Sequence, residues 1–211
     1  MTGFGIKTTK HQQKYWQNRK LDWKAEIDLT WNHPHRNIIS HFLKRLNWFS
    51  LIEIGCGAGA NLANIVRNIP NRQLGGVDLN ADAIAYASKR FEGGMFKVDS
   101  GEDIMMSDKS CDVVLSDMML IYIGPNKIKR YLAEMKRIGR KYVVLCELHS
   151  ISFWKRLWLK LTTGYNAYNY KKLLDKAGFY DVLYYKLRPE DWDGFEPQRS
   201  YAHIFIARII N

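Results

Sequence analysis

The sequence predicts an α/β fold in which a doubly wound, mainly parallel sheet carries helices on both faces. Three observations predict it. Five short apolar segments alternate with segments of helical periodicity, each apolar segment ends at a polar residue, and a glycine-rich turn follows the first one. Two strand-like segments near the end of the chain complete seven strands as an antiparallel hairpin. A chain of 211 residues has room for one such core.

The first part of the chain reads as helical and precedes every strand signal. We expect residues 1–48 to form a helical cap on the domain that fills residues 49–211. Residues 11–31 are polar, with three tryptophans, and look helical. Asn32 can cap a following helix, and Pro34 suits the first turn of that helix.

Strand and helix signals alternate in the rest of the chain. The helix assignments rest on apolar residues at spacings of three and four, and the strand assignments on short apolar runs that end at polar residues. Predicted strands cover 51–54, 73–77, 95–98, 111–115, 141–147, 180–187 and 201–208. Predicted helices cover 34–46, 59–69, 81–91, 125–138, 151–161 and 168–177, the last of them closed by Gly178.

The segment 151–161 predicts a basic amphipathic helix. One side holds apolar residues, namely Ile151, Phe153, Trp154, Leu157, Trp158 and Leu161, and the other side holds Lys155, Arg156 and Lys160. We expect the apolar side to pack on the core. An interfacial helix and a lid over an apolar substrate are the alternatives. The last two strands are joined by a polar loop that includes Gly194 and Pro197.

The charge and the cysteine content limit which partners and which cellular compartment are expected. The net charge is +11, which allows a polyanionic partner such as RNA or an anionic membrane surface. The three cysteines form no Cys-x-x-Cys pair, and we expect buried, reduced thiols without a metal site. No apolar run is long enough for a membrane span, and no signal peptide is visible, so we expect a cytoplasmic protein.

The most specific signal is the run 53–59, which reads Glu-Ile-Gly-Cys-Gly-Ala-Gly. It follows an apolar strand and opens a helix, so its backbone can approach a ligand closely. Asp78 ends the next strand, where a carboxylate can accept hydrogen bonds from both hydroxyls of a ribose. The spacing differs from the dinucleotide pattern G-x-G-x-x-G. The anionic Glu53 disfavours a pyrophosphate there and suits a cationic amino-acid group.

These residues resemble the class I S-adenosylmethionine-dependent methyltransferases, which have a Rossmann-like fold. The likeness spans about Leu51 to Ile209, and Asp99 stands where the family contacts adenine. The resemblance implies S-adenosylmethionine as cofactor, and the spacing of the cysteines and histidines predicts no metal site. The cofactor-binding residues that it implies are Glu53, Gly55, Cys56, Gly57, Gly59, Asp78, Leu79, Asp99, Ser100 and Ser116.

The acceptor of the methyl group is left open by the sequence. His149 follows the fifth strand and is the best candidate base, and Asp117 is a second catalytic candidate. Tyr122, His33 and Arg36 are candidate substrate-binding residues. We expect a small or lipid-like acceptor because the region 149–168 is apolar and aromatic.

Two alternatives stay open beside that expectation. The net charge favours an RNA acceptor as the second choice. A non-catalytic protein that binds the cofactor and supports a partner is the rival from another class. A nicotinamide oxidoreductase is opposed by the glycine spacing. The sequence does not indicate an oligomeric state.

Overall fold

The structure is a computed structural model that describes residues 8–192 and 200–210. Seven strands form its centre. In chain order they are β1 (Ser50–Ile54), β2 (Gln73–Asp78), β3 (Phe96–Val98), β4 (Cys111–Asp117), β5 (Gly139–Leu148), β6 (Phe179–Lys186) and β7 (Ala202–Ile209). Each observed strand overlaps its predicted segment, and most boundaries move by one or two residues.

The strands form one sheet in the order β3-β2-β1-β4-β5-β7-β6. The first five are parallel, and β1 lies between β2 and β4. Strand β7 pairs antiparallel with both β5 and β6. The predicted fold class is therefore confirmed. The strand order reverses between β1 and β4, which is where open sheets of this class form a ligand crevice.

Eight helices accompany the sheet within the described residues. They are α1 (Thr9–Asn18), α2 (Trp23–Thr30), α3 (Pro34–Leu43), α4 (Ala60–Asn68), α5 (Ala81–Arg90), α6 (Ile128–Ile138), α7 (Phe153–Thr163) and α8 (Tyr170–Lys176). The helical region expected over 11–31 consists of two helices, because α1 ends at Asn18 and a new helix begins at Trp23. The Asp22 side chain accepts the backbone N–H of Ala25 and so caps α2 as a separate helix.

The core has two layers, one on each face of the sheet. In β4, Val114 packs on the side covered by α6, whereas Val113 and Leu115 pack on the side covered by α3 and α4. Side chains alternate along a strand, so a sheet covered on both faces needs apolar residues in succession. The three cysteines are buried and free, as expected from the sequence.

Helix α7 contradicts the expectation that its apolar side packs on the core. All six residues of that side are exposed, and the most exposed are Trp154 at 74% and Ile151 at 72%. The residue that α7 buries is Leu159, which joins the core layer under β5 and β7. Leu159 lies on the opposite side of the helix from these six residues. Because Leu159 faces the core, the apolar side faces solvent.

Part of the sequence interpretation falls outside the described residues. Gly194 and Pro197 of the predicted polar loop lie there, as do the first seven residues of the proposed cap. Pro189 and Trp192 at the start of that loop are described, and Pro189 begins a short 3-10 turn.

Truncation of Leu115 should destabilise the protein strongly. Its side chain is fully buried in the central strand β4. Leu115→Ala should lower the free energy of unfolding by about 2–5 kcal/mol, through lost apolar contact and the cavity left behind. Urea denaturation measures this change. Leu183→Ala on β6 is the matched control, because Leu183 is 67% exposed, and it should cost less than about 0.5 kcal/mol. Equal losses in the two variants would contradict the assigned core.

Candidate functional site

A cavity of about 300 Å³ opens at the carboxyl ends of β1, β2 and β4. Sheet residues form one wall, and the N-terminal helices α1 and α2 form the opposite wall through side chains such as Trp16 and Trp23. The cavity lies at the reversal of strand order, where the fold class places its ligands.

The glycine-rich turn forms the floor of the cavity beside β1. Gly55, Gly57 and Gly59 have φ angles of +77°, +52° and +94°, a backbone region that favours glycine. A Cβ on Gly55 would lie 2.4 Å from the Cγ of Met119, whereas a Cβ on Gly57 would meet nothing within 4 Å. Gly57 therefore faces open space, and Gly55 is needed for close packing. Gly55, Cys56 and Gly57 line the cavity.

Asp78 is fixed at the centre of the cavity wall by backbone donors. Its Oδ2 accepts the N–H of Gly57 at 2.9 Å, and its Oδ1 accepts the N–H of Asn80 at 2.9 Å. Burial raises the pKa of this carboxyl, and the two backbone hydrogen bonds oppose that rise. Each oxygen keeps lone pairs for a ligand hydroxyl. Leu79 follows directly and also lines the cavity.

Asp99 and Ser100 border the cavity beyond β3. The Asp99 carboxylate accepts the N–H groups of Gly101 at 2.8 Å and Met105 at 3.3 Å, which holds the loop in place. Tyr131 lines the same region with its ring.

The other end of the cavity is acidic. The Asn61 Nδ2 donates to Glu53 Oε1 at 2.6 Å and to Asp117 Oδ2 at 3.0 Å. Within the described residues, Glu53 Oε2, Asn61 Oδ1 and Asp117 Oδ1 are buried acceptors without a hydrogen-bond partner. Three buried acceptors at one end of a cavity suit a cationic donor such as an ammonium group.

The two carboxyl groups at this end have opposite pKa shifts. Burial raises the pKa of Glu53 to about 8. Burial acts on Asp117 in the same sense, but His35 at 2.9 Å and Arg36 at 3.2 Å outweigh it and hold the Asp117 pKa well below its usual range. Asp117 is therefore ionised at neutral pH, whereas Glu53 is mostly protonated.

Helices α1 to α3 hold the cap against the sheet through polar contacts. Asn80 Nδ2 donates to the carbonyl oxygens of Trp16 at 3.0 Å and Arg19 at 2.7 Å. The Trp16 ring lies 5.3 Å from the ring of Tyr122. Tyr122 and Arg36, two of the three predicted substrate-binding residues, thus both line the cavity, and Arg36 contacts Asp117.

Four predicted site residues do not line the cavity. Ser116 is fully buried, and its hydroxyl donates to Glu147 Oε1 at 2.7 Å. Gly59 caps α4, where a Cβ would lie 2.5 Å from the Phe91 ring. His33 contacts His35, with the two Nδ1 atoms 2.6 Å apart. The fourth is His149.

His149 is buried behind the cavity wall rather than in it. Its Nδ1 accepts the backbone N–H of Tyr170 at 3.1 Å, and its ring packs against His203 and Phe205. Burial lowers its pKa to about 4. Because Nδ1 already accepts a backbone hydrogen bond and the ring is buried among other rings, the geometry does not support His149 as the expected base.

Sequence reasoning missed several residues that build the site. Asn61, Asn80 and Trp16 line it, and His35 fixes Asp117 from outside. Asn61 is two residues after Gly59, on the first turn of α4, and this position could have indicated it. Nothing local in the sequence distinguishes His35 from His33, because the choice depends on which of them meets β4 across the fold.

Comparison with known proteins agrees with this geometry. Residues 51–141 match the family model described as a methyltransferase domain. The resemblance stated from the sequence is confirmed to this extent: residues 51–141 match a methyltransferase domain, and the chain shares its fold with solved methyltransferase structures. No curated protein matches the chain.

Three solved structures illustrate the likeness, which at these identities concerns the fold. A putative methyltransferase complexed with the Trm112 activator of Haloferax volcanii has a TM-score of 0.67 and 16% identity, over 90% of this chain and 94% of that one. A putative methyltransferase of Bacillus halodurans has a TM-score of 0.60 and 14% identity, over 83% and 99%. Geranyl diphosphate C-methyltransferase of Streptomyces coelicolor, with S-adenosylhomocysteine, has a TM-score of 0.64 and 12% identity, over 82% and 79%.

The described residues contain neither a candidate membrane span nor a candidate metal site. Within residues 8–192 and 200–210, no helix has the length and apolar character needed to cross a bilayer. The same ranges contain no group of three or more His, Cys, Asp or Glu residues placed to hold a metal ion.

Glu147 should contribute less to the stability of the protein without ligand as pH rises from about 5 to 8. Burial raises the pKa of Glu147 to about 8, so its folded form holds a proton that the unfolded chain releases near 4.5. Such a group can change the free energy of unfolding by up to about 1.4 kcal/mol per pH unit. This contribution to stability is lost as pH rises through the interval. Denaturation at several pH values should show a smaller slope for Glu147→Gln than for wild type.

A matched control separates this effect from a general change in charge. Glu92 is an exposed glutamate outside the site, and Glu92→Gln should keep the wild-type slope. If Glu147→Gln also keeps it, Glu147 is ionised in the folded protein and the expectation is wrong.

Proposed function

We propose that this protein is an S-adenosylmethionine-dependent methyltransferase acting on a small or lipid-like acceptor. The observation that carries the proposal is the order of groups along one cavity. The glycine turn and Asp78 lie between an acidic end at Glu53 and the Asp99 loop. A nucleoside linked to an amino acid carries complementary groups in the same order.

The residues present fit this cofactor. The unpartnered oxygens of Glu53, Asn61 and Asp117 would receive its ammonium group. The carboxylate of Asp78, held by Gly57, would accept both ribose hydroxyls. The backbone of the glycine turn would pass close to the amino-acid part.

The adenine end has polar and apolar partners. Asp99 and Ser100 would lie beside the base, with Leu79 and Tyr131 as apolar cover. The family resemblance assigns Ser116 and Gly59 to the cofactor. Because neither lines the cavity, each would support residues of the site from behind. Ser116 holds Glu147 there, and Gly59 permits the turn into α4.

The bound cofactor would supply a methyl group on a sulfonium: the acceptor would bond to the methyl carbon in line as the C–S bond breaks, and the sulfur would leave as a neutral thioether. The protein would then contribute alignment and exclusion of water. The wall formed by α1 and α2 covers the cavity with Trp16 and Trp23, which supports residues 1–48 as the cap. Asp117 would position the acceptor or the ammonium group rather than take a proton, because His35 and Arg36 stabilise its ionised form.

The acceptor assignment rests on the size and lining of the cavity. The cavity is small and covered by aromatic side chains, among them Trp16, Trp23 and Tyr122. A cavity of this kind suits a compact acceptor better than a folded RNA. The similar Streptomyces structure is that of an enzyme named for geranyl diphosphate, a small molecule. We propose Tyr122 and Arg36 as acceptor contacts. His33 would act only through His35.

Loss of the Asp78 carboxylate should weaken cofactor binding. Asp78→Ala removes the acceptor for the ribose hydroxyls and should raise the Kd for S-adenosylmethionine and S-adenosylhomocysteine at least about tenfold, or 1.4 kcal/mol. Calorimetric titration measures both. Asp175→Ala, on an exposed aspartate of α8, is the matched control and should bind as wild type. Wild-type protein that is folded and binds neither compound would refute the proposed function.

Binding of S-adenosylhomocysteine should release a proton from Glu53. This carboxyl, with a pKa of about 8, is mostly protonated at neutral pH, and a bound ammonium group would favour its ionised form. Titrations at pH 7 in buffers with different heats of ionisation should show release approaching one proton, and affinity should rise with pH up to about 8. Glu53→Gln should abolish most of this release. The same release in both proteins would place the ammonium group elsewhere.

A further inference from the structure

Helix α7 presents its apolar side to solvent although the helix is firmly held. Phe153, Trp154, Leu157, Trp158 and Leu161 are between 37% and 74% exposed. At about 100° per residue, these five side chains fall within an arc of about 140°, opposite Leu159. One continuous face of large apolar side chains therefore lacks a partner within the described residues.

The orientation of α7 is fixed from both ends. Ser152 caps its start by accepting the N–H of Lys155, and Gly164 ends it with a φ of +77°. Arg156 donates to the carbonyl oxygens of Ser150 at 2.8 Å and Ile151 at 2.9 Å. Leu159 is buried completely in the core. The helix therefore cannot hide its apolar face by rotating without removing Leu159 from the core.

Basic residues flank the apolar face, and acidic residues are absent from its surroundings in the sequence. Lys155 lies on one side of the face, and Arg156 and Lys160 lie on the other. The stretch 148–174 contains five basic residues and no Asp or Glu. Tryptophan, phenylalanine and leucine on one face, with lysine and arginine beside them, are typical of helices that lie at a membrane surface.

Positive charge from neighbouring elements reaches the same region. The charged groups that act on the buried His149 are His203, Lys171 and Arg156, and after burial all of them lower its pKa. His203 is likewise affected by Lys171 and Lys186. Arg156 of α7 and Lys171 of α8 thus add positive charge around His149, at the end of β5 that leads into α7.

We propose that α7 docks the protein on an anionic lipid surface, with its aromatic and leucine side chains in the interface and its basic residues among the headgroups. The occupant is chosen by charge. A second copy of the chain packed symmetrically on this face would bring Lys155, Arg156 and Lys160 together with no acidic residue of 148–174 to compensate. An anionic bilayer supplies the opposite charge, and its interior accepts the apolar side chains of Leu157 and Leu161. A nucleic acid would not use these two leucines, because they have no ring to stack on a base.

The docked helix is connected to the wall of the catalytic cavity. After Gly164, the ring of Tyr165 packs edge-on at 5.7 Å against the cavity residue Tyr122. Asn166 donates from both its backbone N–H and its side chain to the carbonyl oxygen of Ile121, at 2.8 and 3.0 Å. A membrane contact through α7 is therefore fixed in position relative to the cavity.

The test is sedimentation with vesicles, which requires neither cofactor nor acceptor. Wild type should sediment with vesicles of phosphatidylcholine mixed with phosphatidylglycerol and much less with phosphatidylcholine alone, and raised ionic strength should weaken binding. The double variant Trp154→Ser, Trp158→Ser should bind about tenfold more weakly, because it removes apolar area. Lys155→Glu should weaken binding to the anionic vesicles only.

Controls keep the result interpretable. The double variant Leu29→Ser, Phe49→Ser removes two exposed apolar side chains outside α7, 83% and 59% exposed, and should bind as wild type. Circular dichroism confirms that each variant folds, since none of these side chains is buried. Equal binding to both kinds of vesicle, or none, overturns the proposal. A dimer by light scattering that the tryptophan variant abolishes would instead assign the face to a second copy.

Discussion

The buried carboxylate of Asp117 is the interaction on which the rest of the site depends. It ends β4 at the reversal of strand order, where a charge without partners would be costly. His35 and Arg36 come from the cap, and Asn61 comes from α4. These contacts make one ionised group the junction of the sheet, the cap and the glycine-turn helix. The cap is consequently part of the site rather than an addition to a finished domain.

Asp117 also explains why the neighbouring carboxyl behaves differently. Glu53 shares Asn61 with Asp117 and, within the described residues, has no cation of its own at hydrogen-bond distance. For Glu53, burial outweighs the hydrogen bond from Asn61 and the charge of Arg36, and the negative charge of Asp117 adds to the rise in pKa. The result is a cavity end with one fixed negative charge and one carboxyl that can become negative when a positive ligand arrives.

The proposed membrane contact of α7 would bring apolar acceptors toward the same site. The helix buries one leucine and exposes two tryptophans, so its apolar surface faces solvent. Its connection to Tyr122 through Tyr165 places that surface at a fixed distance from the cavity. Both the proposed lipid-like acceptor and the proposed membrane contact thus draw on the region 149–168, but each has its own test.

The sequence by itself determined the strands, most helices, the glycine turn and the position of Asp78, because these depend on residue spacing and on contacts within one β-α unit. The sequence did not determine the contacts between segments that lie far apart in the chain. His149 looked available from the end of β5, yet β7 and α8 enclose it. His35 was not among the predicted site residues, yet it meets Asp117 across 82 residues of the chain. In α7, periodicity identified the apolar face, but the burial of Leu159 decided which way that face points. Such choices are made by packing between segments far apart in the chain, which periodicity does not encode.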